Sequence, residues 1–197
     1  QFVAHLSNTA FLRLMFSAAM SFAATFCFIS SAAIIYMTIY GLGKYLYAGL
    51  FALNAIAIIF GSLTLRYYTG RISPRVIQSI GLTVFVVSDL LLLVITHYHP
   101  NNWKLFTPLI TCTSFGLCLL IGSLISSAIN SVDNAFGTAT AILNFTRNCL
   151  ASLSSYFISL LILHSVIPIL LMQLLFAVFL IIFLTVITSR ERAPLIK

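Results

Sequence analysis

The strongest constraint in this sequence is a series of six long apolar runs separated by short polar breaks. They cover residues 11–36, 45–65, 75–96, 105–129, 136–163 and 166–188. A helix needs about 20 apolar residues to cross roughly 30 Å of hydrocarbon. Each run is long enough. Backbone groups in lipid must pair within their own segment, so the runs are expected to be helices. The period-two patterning of a membrane barrel is absent. The expected fold is therefore an all-α integral membrane bundle of six helices, forming one domain over residues 1–197 with the lipid bilayer as its main partner.

Composition supports this. Of 197 residues, 61% are hydrophobic and 7% charged. A soluble domain carries about 25% charged residues, because its surface faces water. The net charge of +7 does not point to nucleic acid. The basic residues punctuate apolar runs instead of clustering on one soluble face. Cys27, Cys112, Cys118 and Cys149 all lie inside apolar runs without metal-site spacing, and read as small packing residues. No metal or other cofactor is expected. The first residue is Gln1, so the chain is expected to begin partway through a gene product or after processing, and no signal-peptide pattern opens it.

Basic residues also set the orientation. With six spans, both termini lie on one side. That side holds Arg13, Arg66, Arg71, Arg75, Arg190, Arg192 and Lys197; the other holds Lys44 and Lys104. Both ends are therefore expected to be cytoplasmic.

Polar residues within spans normally face protein or water, so their spacing marks the inward side. The fifth run places Thr140, Asn144, Arg147, Asn148, Ala151 and Ser155 on one face. Arg147 falls near mid-depth, where a charge costs at least about 2.5–3.5 kcal/mol on insertion scales. Either it lines a water-filled substrate pathway, or it bonds to backbone carbonyls of a neighbouring helix. The fourth run repeats the pattern with Thr107, Thr111, Ser114, Cys118, Gly122 and Ser126, a stripe that also suits plain helix packing. The first run offers Ser17, Ser21 and Thr25, with Phe22, Phe26, Phe28 and Tyr36 as aromatics for either a pocket or the lipid face. Asn54 is the polar group midway along the second run. Runs one, two, four and five are thus expected to face inward and three and six outward, as in two inverted three-helix repeats. Asp89 is the only acid well inside a span. It is a candidate proton-titrating group, or an acid that snorkels outward or pairs with a helical neighbour.

The stretch from Tyr47 to Asn54 and the following Gly61-Ser62-Leu63-Thr64-Leu65-Arg66 resemble the eighth helix and next loop of the major facilitator superfamily. The segment from Phe136 to Asn144 is similar to an eleventh helix of its Bcr/CflA-type multidrug:proton antiporters. The resemblance covers most of the chain. It implies helices seven to twelve of a twelve-helix transporter in a cell (inner) membrane, with a missing N-terminal six-helix half as partner. It also implies proton-coupled efflux of drugs or other small amphipathic compounds by alternating access, with the proton gradient as driving force. The substrate-pathway candidates are then Arg147, Asn144, Asn148, Asn54, Thr25 and Phe26, and the cytoplasmic basic loop is Arg66, Arg71 and Arg75. Three features depart from the pattern. Leu65 stands where the fuller loop signature has an acid, the proline common near the end of the tenth helix is missing from Gly122-Ser123-Leu124-Ile125, and Arg147 stands where many relatives carry an uncharged amide.

Two other classes remain. A non-transporting six-helix module would bury Asn144 and Arg147 against a partner or a second copy. A membrane-embedded enzyme is not expected, because no serine–histidine pair falls within the spans.

Overall fold

The computed structural model describes residues 9–132, 136–161 and 165–191, with backbone alone for 185–191. Six long helices run through it: α1 (Thr9–Ala33), α2 (Lys44–Tyr68), α3 (Pro74–Tyr98), α4 (Trp103–Asn130), α5 (Phe136–Leu161) and α6 (Ile167–Glu191). The described residues contain no strand, apart from one isolated bridge between Thr69 and Ile72 in the loop after α2. All helices except α5 are long and apolar enough to cross a membrane. In α5, Arg147 and its asparagine and threonine neighbours dilute the apolar content.

Breaks fall where backbone chemistry demands them. Gly41 and Gly70 adopt φ +64° and +84°, a region that favours glycine, and they turn the chain after α1 and α2. Pro74 opens α3, where its missing N–H costs nothing. The Asn102 side chain caps α4 by accepting from the Leu105 N–H at 3.3 Å.

The end of α1 departs from a simple helix. Ile34–Ile39 is a π-helical turn that continues directly from Ala33. Neither Pro nor Gly lies within it to announce it. Packing accounts for it: Tyr36 is buried among Phe28, Tyr40, Tyr47 and Phe106, and its hydroxyl lies 3.2 Å from Thr107 Oγ1 of α4. The extra residue per turn is the usual way a helix re-aims a side chain without breaking.

The helices α1 and α4 form the centre. Around α1 lie α4, α5 and α6; around α4 lie α1, α2 and α3; and α3 touches α6. Exchanging α1 with α4, α2 with α5 and α3 with α6 leaves these contacts unchanged. The exchange does not extend to the additional contact of α5 with α6, which has no match of that size between α2 and α3.

Small residues bring the central helices together. A Cβ at Gly116 of α4 would meet the Phe85 N at 2.8 Å and the Gly81 O at 2.9 Å, so the α3 and α4 backbones touch there. Two polar links lie to one side of that crossing, toward the start of α3: Gln78 Nε2 donates to Ser127 Oγ at 3.1 Å, and Ser123 Oγ donates to the Pro74 carbonyl at 3.1 Å. Between α2 and α4, Cys118 fits over Gly61, and its Sγ lies 3.3 Å from the Ile58 carbonyl oxygen. One step along that seam, the Leu65 side chain fills the notch above Gly122. Leu65 thus joins α2 to α4 by apolar contact at the position where the basic-loop signature carries an acid.

Candidate functional site

A groove of about 380 Å³ opens where α1, α2 and α4 meet. Phe22, Thr25 and Ile29 of α1 form one wall, at the helical spacing that keeps them on one face. Ile58, Ser62 and Leu65 of α2 and Ser114, Cys118, Ile121 and Gly122 of α4 form the rest. The lining is mostly apolar with a few hydroxyl groups, which suits an amphipathic small molecule. Each hydroxyl already bonds within its own helix: Thr25 Oγ1 donates to the Ser21 carbonyl at 3.1 Å, Ser62 Oγ to Ile58 at 3.0 Å and Ser114 Oγ to Ile110 at 3.0 Å. Their oxygens keep lone pairs free to accept from a guest.

Arg147 reaches this groove through an aromatic side chain. Its Cζ stands 4.3 Å from the centre of the Phe22 ring, and Phe22 lies 4.7 Å from Phe26, centroid to centroid. Its Nε is buried without a hydrogen-bond partner among the described residues. No ion pair or carbonyl contact to Arg147 occurs among them either. A residue at position 147 lies about 16 Å along α5 from Phe136, at 1.5 Å per residue. A cation–π stack returns about 0.5–2 kcal/mol, less than the insertion cost of at least about 2.5–3.5 kcal/mol. The described contacts therefore leave Arg147 under-compensated.

Sequence and structure agree unevenly on the remaining candidates. Thr25, Phe26, Phe22 and Arg147 come together. Asn144 is half-buried on the same helix as Arg147, whereas Asn148 is exposed. The side of α5 packed into the bundle carries Ala139, Leu143, Ala151, Ser154 and Ile158. Asn54 of α2 is buried, its Oδ1 without a partner among the described residues, one turn from the groove residue Ile58. Arg66, Arg71 and Arg75 are exposed at one end of the bundle, with Arg71 Cζ 4.1 Å from the Tyr67 ring centre. Lys44 and Lys104 lie against Tyr45 and Trp103, a pattern typical of membrane interfaces.

Asp89 lies elsewhere. It is fully buried, so it does not snorkel outward, and neither carboxyl oxygen has a partner among the described residues. It falls within electrostatic range of Cys27. Gln173 Nε2 of α6 donates to the Ala24 carbonyl at 3.0 Å, and Ser154 Oγ of α5 approaches the Ala23 carbonyl at 3.4 Å. These groups occupy the face of α1 that carries residues 23, 24 and 27. The groove occupies the opposite face, with 22, 25 and 29. A helical step of two residues turns about 200°, so α1 separates the two sites.

Sequence reasoning missed the role of Phe22, whose partner is 125 positions away on another helix. It also read all four cysteines as packing residues. Cys27 is buried and Cys118 packs at the α2 seam, but Cys112 and Cys149 are exposed on the outside of the bundle.

No protein-family model matches the chain. Over 132 residues, 66% of its length, it is 26% identical to an uncharacterized MFS-type transporter, YdgK, of Bacillus subtilis (strain 168). The matched region spans 32% of that protein, about a third of its length. Together with the five helices long and apolar enough to cross a membrane, this similarity supports a multi-pass membrane protein.

Proposed function

We propose that this chain is the C-terminal half of a secondary transporter of the Bcr/CflA type, exporting small amphipathic compounds across a cell (inner) membrane by proton-coupled alternating access. The observation that carries the reading is the mid-bundle groove between α1, α2 and α4, with Arg147 stacked on its Phe22 wall. The partial contact symmetry of the two three-helix units and the similarity to an MFS-type transporter support it. The missing N-terminal half would cover the sides of α2 and α5 that this bundle leaves exposed and close the groove around the substrate. Arg66, Arg71 and Arg75 would lie in a cytoplasmic loop, with both ends of the segment on that side. Asp89 is the candidate proton-binding group, linked to the groove through α1.

Thr25→Trp tests the groove. The indole would occupy much of about 380 Å³ without touching the α3–α4 crossing. Flux in proteoliposomes of the full-length protein is expected to fall to about a tenth, since pockets of this kind bury most of a ligand's surface. Wild-type flux at normal protein level would remove the groove from the pathway.

One observation favours the other class. Asn54 and Gly61 are the only buried residues of α2, so a long apolar surface is left uncovered. A non-transporting module that uses this surface for assembly would show no gradient-driven flux of any compound.

A further inference from the structure

We infer that the guest of the groove is an anion with an aromatic or other planar apolar body, and that Arg147 is the group that recognises its charge. The inference rests on the transport reading above and names its substrate class.

Arg147 carries a permanent charge midway along α5, and no acid is near it among the described residues. Asp89, the one acid with a described side chain, faces the opposite side of α1. The guanidinium stacks flat-body chemistry already, at 4.3 Å from the Phe22 ring centre, and Phe22 belongs to the groove wall. Arg147 stands behind Phe22 and not in the groove lining itself, and its Nε is buried, so an anion beside Phe22 would take its charge-assisted hydrogen bonds from the terminal guanidinium nitrogens, which are not buried. Its planar body would lie against Phe22 and Ile29, where the lining is apolar. A cation would meet like charge there, close to the half-buried guanidinium. The groove thus discriminates by sign, whereas its hydroxyl groups accept from almost any donor.

The test uses full-length protein in detergent and two probes with the same ring system: 2-naphthalenesulfonate and the uncharged 2-naphthalenesulfonamide. Wild-type protein is expected to bind the sulfonate about tenfold more tightly, the worth of one charge-assisted hydrogen bond. Arg147→Gln is expected to erase that preference and leave the sulfonamide affinity within about twofold. Arg147→Lys keeps the charge but loses the planar fork, and is expected to retain part of the preference. If Arg147→Gln does not accumulate, the lysine variant carries the test, and a lysine variant without any sulfonate preference overturns the inference. Equal loss of both probes in Arg147→Gln, or no loss of either, also overturns it. The second result is expected if a carboxylate from outside the described residues neutralises Arg147. The two readings fail separately. Gradient-driven flux of a cationic amphipath with no sulfonate preference sinks the anion assignment and leaves the transporter standing. No gradient-driven flux of either charge class sinks the transporter itself.

Discussion

Gly116→Val is expected to abolish accumulation of folded protein. The added Cβ alone would stand 2.8 Å from the Phe85 N and 2.9 Å from the Gly81 O. Both are backbone atoms inside α3, and neither can yield as a side-chain tip can. The two helices would have to separate at their closest approach, and α4 would shift against α1 and α2 as well. Overpacking commonly costs about 1–3 kcal/mol when side chains can adjust. Here they cannot, and the cost is expected at about 3 kcal/mol or more. Fluorescence-detected size exclusion of the detergent-solubilised protein reads the effect as loss of the monodisperse peak. Gly137→Ala is the control. Nothing lies within 4 Å of a Cβ at Gly137, so that variant is expected to behave as wild type within about 0.5 kcal/mol. Equal peaks for both variants would mean that the Gly81–Gly116 crossing does not hold the bundle together.

The second large effect is expected at Asp89. Asp89→Asn should leave the protein folded and remove the dependence of transport on the proton gradient. Its carboxyl is fully buried, and neither oxygen has a hydrogen-bond partner among the described residues. Replacing an unpaired buried acid by a neutral group of the same shape removes a cost and breaks no described bond. Stability is therefore expected to hold or rise. Acids inside membrane helices commonly serve proton relays, and loss of this one is expected to cut gradient-driven flux by about tenfold or more while substrate exchange continues. Proteoliposomes with an imposed pH gradient, compared with counterflow at equal pH, separate the two modes. Unchanged gradient dependence in Asp89→Asn would assign the carboxyl to structure alone.

The architecture was legible because membrane helices are written locally. An apolar run of sufficient length, ended by Gly41, Gly70 or Pro74, fixes a helix without reference to anything else. The observed α2 and α3 exceed the expected runs by only a few residues at each end. The π-helical turn at Ile34–Ile39 was not legible, because its cause is Phe106 and Thr107 on another helix. The expected polar face of α5 and the side packed into the bundle, which carries Ala139, Leu143, Ala151, Ser154 and Ile158, share only Ala151. Asn144 and Arg147 are half-buried, while Asn148, one residue further round, is exposed. Helical spacing places residues on an arc and cannot say where a neighbour's edge cuts it. The same limit hid the partnership of Phe22 with Arg147 and the depth of Asp89. Each depends on which two helices α1 separates, and that is a property of packing.

Alternating access is the central claim, and cysteine accessibility at Ser62 tests it most directly. Ser62 lies on the α2 wall of the groove. Ser62→Cys would be placed in full-length protein whose other cysteines, Cys27, Cys112, Cys118 and Cys149 among them, are replaced. Membrane-impermeant maleimide would then be applied separately to each side of sealed vesicles. The account predicts labelling from both sides, with the balance shifted by the proton gradient. Labelling confined to one side under every condition, or none at all, would contradict it.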